Sequence, residues 1–127
     1  MAWHQTDLRP NTAGYFFNKL IYPNVKGEPA DEKLVNEQWK QSMKAFKAIE
    51  NYFLKDRPFI AGEEISIADL LGVCEIVQVG SVNVDFAKDY PVMKAWIQRV
   101  RNETNPNFDE VHKILYKIGK ITDPSKL

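Results

Sequence analysis

The segment Ile65-Ser66-Ile67-Ala68-Asp69-Leu70 constrains this chain more than any other. Ser66 is a natural helix N-cap, and Asp69, three residues on, can accept a hydrogen bond from the Ser66 backbone N–H as the carboxylate of a capping box. Ile65 and Leu70 occupy the two hydrophobic-staple positions around it. A helix therefore starts at Ser66, and the run Leu70-Leu71-Gly72-Val73-Cys74-Glu75-Ile76-Val77 carries it to about Val79. Apolar on nearly all sides, it reads as the central helix around which the others pack. Asp69 and Glu75 interrupt the apolar stretch, which is too short to cross a bilayer. Cys74, the single cysteine, reads as a small buried hydrophobe in a reducing, cytosolic setting.

Four further helices follow from period and punctuation. The first covers about Thr6 to Tyr22, with Pro10 near its start or at a kink, and ends before Pro23. The second runs from Ala30 or Asp31 to about Lys55, where Val35, Trp39, Ser42, Phe46, Ile49 and Phe53 form one inward stripe. A fourth opens at Asp89-Tyr90-Pro91 and turns Trp96, Ile97 and Val100 inward before fading near Glu103. A fifth opens at Pro106-Asn107 and carries Phe108, Val111, Leu115 and Ile118 up to Gly119. The tail from Ile121 to Leu127 reads as frayed. The whole is one domain, residues 1–127, with no repeat.

Lys plus Arg and Asp plus Glu each total 17, so the net charge is zero and nothing favours nucleic acid or an anionic membrane as a partner. The N-terminus lacks the basic start and apolar core of a secretory signal, which fits a cytoplasmic protein. His4 and His112 stand far apart without metal-type neighbours, so no metal is expected. Ser66 lacks the glycine-flanked elbow of a nucleophile, and no glycine-rich loop follows a strand, so no catalytic residue is assigned. Asp69 reads as a structural capping group rather than a functional carboxylate. Arg9, Ala13 and Phe17, at intervals of four, admit two readings: a cleft with one cation above an apolar floor, or a solvated arginine over core aromatics.

The run from Phe59 to Leu70, Phe-hydrophobe-x-Gly followed by hydrophobe-Ser-x-Ala-Asp, resembles the signature of cytosolic glutathione S-transferase C-terminal domains. Tyr90-Pro91-Val92-Met93-Lys94-Ala95-Trp96 is similar to that family's Pro-x-hydrophobe-x-x-Trp segment. Within the family the theta class is nearest, through Trp3-His4-Gln5-Thr6-Asp7-Leu8-Arg9 and Phe53-Leu54-Lys55-Asp56-Arg57-Pro58-Phe59. The resemblance implies an all-α, glutathione-transferase C-terminal-like bundle of about five helices that shapes a hydrophobic acceptor-substrate pocket and part of a dimer interface. It further implies that Arg9, Ala13 and Phe17 bind substrate, and that Thr6 or Asp7 approaches glutathione across a homodimer.

By the same resemblance the partner is a thioredoxin-like N-terminal domain, which carries the thiol-activating serine and is not part of this sequence. Glutathione is then the co-substrate of the full-length protein, small hydrophobic electrophiles are its acceptors, detoxification is its role, and no cofactor is required. The chain alone is expected to be inactive. The alternative is a stand-alone protein-interaction module of the same fold without catalysis.

Overall fold

The computed structural model describes residues 2–82 and 85–127, and these form five main helices. We label them α1 (residues 4–26), α2 (residues 32–53), α3 (Ile67–Gly80), α4 (Pro91–Thr104) and α5 (Asn107–Gly119). A single helical turn, Phe86–Asp89, precedes α4, and a 3-10 turn, Pro124–Lys126, closes the chain. Among the described residues the only extended pairing is an isolated bridge between Phe59 and Gly62.

Helix α1 does not stop before Pro23. It runs on to Lys26 and ends where Gly27 adopts the left-handed conformation (φ 68°) that glycine tolerates at no steric cost. Two π-helical segments explain how it passes two prolines. His4–Leu8 precedes Pro10, and Phe17–Ile21 precedes Pro23. Proline lacks an N–H and its ring collides with the carbonyl four residues back; a wider π turn moves that carbonyl aside.

In α2, Asp31 caps the first turn by accepting from the Leu34 N–H at 3.2 Å, and a third π segment, Ile49–Phe53, ends the helix two residues before Lys55. Its inward stripe buries Val35, Ser42, Phe46 and Ile49, with Trp39 and Phe53 packed at the edge of the core. The π segment also aims Glu50 at the start of α4, where its two oxygens accept from the Val92 N–H at 2.9 Å and the Met93 N–H at 2.6 Å. A carboxylate from one helix thus satisfies the orphan donors of another.

Helix α3 is central but not enclosed on every side. Val73, Ile76, Val77 and Val79 are buried, whereas Ile67, Leu70 and Cys74 are exposed along one face. Cys74 is therefore not a buried hydrophobe; its position, seven after Ile67 and four after Leu70, puts it on the open side. The burial it retains, and Glu75 beside it, push its thiol pKa up. Gly72 permits the close approach of α4, because a Cβ there would meet the Trp96 ring at 3.2 Å.

Two further expectations are revised. In α5 the buried face carries Phe108 and His112, with Leu115 and Tyr116 packed on the core, whereas Val111 is 69% and Ile118 37% exposed. The sequence spacing through Val111 was off by one residue because His112, buried with its Nδ1 donating to the Phe108 carbonyl at 2.7 Å, occupies the position expected of an apolar group. The tail is docked, not frayed. Lys94 Nζ donates to the Lys126 carbonyl at 3.0 Å, Gln98 to the Pro124 carbonyl at 2.9 Å, and Leu127 packs against the core.

Candidate functional site

Asp69 is fully buried, and what it does exceeds a local cap. Its Oδ2 accepts from the Ser66 N–H at 2.9 Å and lies 3.3 Å from the Ser66 hydroxyl. Its Oδ1 accepts from the Ile60 N–H at 2.9 Å and from Trp96 Nε1 at 2.8 Å. One carboxylate therefore ties together the Phe59–Gly62 loop, the start of α3 and the indole of α4. Burying a carboxylate costs several kcal/mol unless hydrogen bonds compensate, about that order; here four donors converge on it.

A second buried carboxylate lies two turns further along α3. Helices α1 and α3 pack side by side, so the His4–Leu8–Thr12 ridge of α1 faces Glu75. Glu75 Oε1 accepts from Arg9 Nη1 at 2.5 Å, and Oε2 lies 3.3 Å from the Thr12 hydroxyl, which also approaches the Leu8 carbonyl at 3.0 Å. His4 Nε2 stands 3.8 Å from the same Oε1. The Arg9 side chain remains 58% exposed, so Glu75 holds the guanidinium at one edge while the rest of it faces water. Arg9 is neither a free cleft cation nor a simple solvated arginine: it is anchored from below by a buried acid. The spacing within α1 gave no sign of this partner, which comes from 66 residues away.

Ala13 is half-buried and Phe17 is 38% exposed, one and two turns beyond Arg9. The Phe17 ring lies edge-on to Phe16 at 5.5 Å and against Tyr22 at 5.7 Å, so the stripe begins at a cation and ends on an aromatic surface. Thr6 and Asp7 are exposed and bonded to each other at 2.6 Å. Asp7 borders a small cleft against Gln41 and Lys44 of α2, whereas Arg9 pairs with α3, so the two charges face different sides of α1.

A cavity of about 430 Å³ lies elsewhere, between the end of α3, the Phe86 turn, α4 and the docked tail. Lys94, Lys126, Asp85 and Asp123 surround its apolar floor, and none of Thr6, Asp7, Arg9, Ala13 or Phe17 lines it. Among the described residues no group of three or more His, Cys, Asp or Glu is placed to hold a metal ion, and no helix is long and apolar enough to cross a membrane.

Comparison with known proteins agrees with this architecture. Residues 15–103 match the family described as glutathione S-transferase, C-terminal domain. The chain is 28% identical over 124 residues to glutathione S-transferase theta-1 of Gallus gallus, covering 97% of this chain and 48% of that protein. With glutathione S-transferase T1 of Arabidopsis thaliana the identity is 33% over 124 residues, covering 93% and 50%. The apo structure of human glutathione S-transferase T1-1 superposes with a TM-score of 0.84 at 25% identity, covering 98% of this chain and 53% of that one. A human theta-2 structure in complex with glutathione and an unknown ligand superposes with a TM-score of 0.83, covering 98% and 55%. The chain thus spans about half the length of these relatives. With the family match extending from α1 through α4 and theta-class structures covering 98% of the chain, the chain belongs to the glutathione S-transferase C-terminal domain family, in its theta-like class.

Proposed function

We propose that residues 1–127 form the helical domain of a theta-like glutathione transferase, shaping its acceptor-substrate pocket and part of its dimer surface. The observation that carries this reading is the Arg9–Phe17 stripe. A guanidinium held by Glu75 and still more than half exposed stands two turns from an exposed aromatic ring on the same helix. Such a surface suits a ligand with one anionic and one apolar part. In the complete protein the thiolate of glutathione attacks the electrophilic carbon of a small hydrophobic acceptor, a sulfur–carbon bond forms, and the leaving group departs with the bonding electron pair. Arg9 would stabilise the charge gathering on that group, while Thr6 or Asp7 would meet glutathione from the other subunit of a homodimer. Activation of the thiol belongs to the thioredoxin-like partner domain.

The test is a fusion of a theta-class thioredoxin-like domain ahead of residue 1. Conjugation of glutathione to a chloronitrobenzene or an epoxide should appear in the fusion and stay at the background rate with the chain alone. Arg9→Ala should lower kcat/KM about tenfold, the worth of one charge-assisted hydrogen bond of about 1.5–3 kcal/mol, and Arg9→Lys should recover part of it. Equal kcat/KM for the parent and Arg9→Ala fusions, at equal folded fraction, would remove Arg9 from the pocket. A second reading, a protein-interaction module, has the exposed Val111 and Ile114 of α5 in its favour; partner binding indifferent to glutathione would select it.

A further inference from the structure

Six uncharged side chains on two neighbouring helices stand exposed: Ile67, Leu70 and Cys74 on α3, and Val111, Ile114 and Ile118 on α5, with Ile67 at 66% and Ile114 at 73%. The two helices pack together, and Gly119 lets them close, because a Cβ there would meet the Ser81 carbonyl at 2.9 Å. Their contacts with α4 fix which way each stripe faces. Helix α3 meets α4 through Asp69 and Gly72, both against Trp96; at about 100° per residue, Ile67, Leu70 and Cys74 fall on the far side. Helix α5 meets α4 through Asp109, which holds Arg101, and by the same period Val111, Ile114 and Ile118 fall on the flank opposite Asp109. Both stripes therefore turn away from α4 and lie side by side.

Single exposed apolar residues are ordinary, but a contiguous uncharged set across two helices marks a surface that something covers. The chain spans about half the length of its relatives, so in the transferase reading a domain of similar length is joined ahead of residue 1. The fold dictates where that domain emerges. Trp3 and His4 line one cavity with Ala68 and Gly72, which sets the N-terminal end of α1 beside the first two turns of α3, where Ile67 and Leu70 stand. We propose that the α3–α5 face is the seat of the thioredoxin-like domain, an inference that rests on the transferase reading, and that this domain meets it with an uncharged apolar surface of its own. Arg9, bound to Glu75 one residue beyond Cys74, stands on the α1 side of the face. A domain seated there brings Arg9 to the edge of the junction between the two halves.

Cys74, the single cysteine, reports on the face directly. Its alkylation by iodoacetamide at fixed pH is followed by mass spectrometry in the unaltered chain and in the fusion carrying a cysteine-free thioredoxin-like domain ahead of residue 1. The thiol should react about tenfold or more slowly in the fusion, where reaction waits for the domains to part. Lys113→Cys with Cys74→Ser moves the thiol to the charged flank of α5, and its rate should be the same in both proteins. Ile67→Asp with Ile114→Asp changes two exposed positions, so the urea midpoint of the chain should hold while fast Cys74 alkylation returns to the fusion. Cys74 reacting as fast in the fusion as in the chain would overturn the seat, as would shielding that survives both aspartates or extends equally to the Lys113→Cys thiol. Shielding that grows with concentration in the chain alone would give the face to a second copy and overturn it too. Conjugation is read separately: a shielded Cys74 in an inactive fusion counts against the transferase reading and not the seat, and an active fusion with Cys74 unshielded counts against the seat alone.

Discussion

Replacing Asp69 with Ala tests the internal logic of the fold. As an N-terminal capping group alone, Asp69 would be worth about 1 kcal/mol, and at most about 2. Its surroundings demand more. The substitution strips the acceptor from the Ser66 N–H, the Ile60 N–H and Trp96 Nε1 together. Ser66 and Ile60 are half-buried, whereas the Trp96 indole is fully enclosed and cannot be resolvated. An orphaned buried donor costs about 1–3 kcal/mol, and the Trp96 indole together with a lost cap of about 1 kcal/mol brings the expected loss to about 2–4 kcal/mol. That is a large part of the roughly 5–15 kcal/mol that holds a domain together. Urea unfolding followed by tryptophan fluorescence and circular dichroism measures it, with Ser66→Ala as the cap-only control at about 1 kcal/mol. Trp96→Phe in the Asp69→Ala background removes the orphaned donor along with its missing acceptor, so the two losses should fall short of additive by about 1 kcal/mol or more. An Asp69→Ala loss no greater than that of Ser66→Ala, or strict additivity with Trp96→Phe, would refute the tie between α3 and α4.

Three further predictions rest on single contacts. Glu50→Ala should cost about 1 kcal/mol, because it uncaps α4 at the Val92 and Met93 N–H groups, and amide exchange should rise in the first turn of α4 but not elsewhere. Asp109, gripped by Arg101 at 2.9 and 2.8 Å and by the Tyr116 hydroxyl at 2.7 Å, has its carboxyl pKa held down at about 2. A folded-state pKa below the unfolded value of 3.8 stabilises the fold above that value, so the advantage over Asp109→Asn, about 1 kcal/mol for a partly exposed pair, should be complete at pH 6 and vanish as pH falls from 4 to 2. Arg9→Ala should lower stability by about 1–2 kcal/mol, less than for a fully buried pair because the guanidinium is half in water; adding Glu75→Gln should restore part of the loss, and a silent Arg9→Ala would break the pairing.

Local chemistry made much of this fold legible in the sequence. The capping box at Ser66 and Asp69, the inward stripe of α2 and the punctuation before α4 and α5 all act within one or two turns, where spacing alone decides the outcome. What could not be read was set by distant partners. Glu75, which interrupted an apolar run, finds Arg9 and Thr12 on another helix; Glu50, outside the inward stripe of α2, caps α4; and Asp69 reaches Trp96, 27 residues on. The passage of α1 through Pro23 and the outward turn of Cys74 failed for a related reason, since helical period assumes 3.6 residues per turn and an evenly covered central helix. Two π segments break the first assumption and the open face of α3 breaks the second. The Arg9, Ala13 and Phe17 spacing was legible, but not the buried acid beneath it.

That buried acid changes what a substitution on the stripe can mean. A surface arginine is separable from its fold, so a loss of activity on its removal reads directly as lost substrate contact. Arg9 is not separable: the charge that faces a ligand on one side compensates the burial of Glu75 on the other. Removing it leaves a carboxylate 4% exposed with the Thr12 hydroxyl as its remaining close donor, and the α1–α3 packing that carries Ala13 and Phe17 has to accommodate this. Stability and ligand affinity should therefore fall together in Arg9→Ala. In the double variant Arg9→Ala with Glu75→Gln the two should part, stability recovering because no unpaired charge remains, while affinity for an anionic group stays lost because no cation has returned. The helix pair thus uses one ion pair both to close its own interface and to fix a positive charge at its surface, and the double variant separates those two uses.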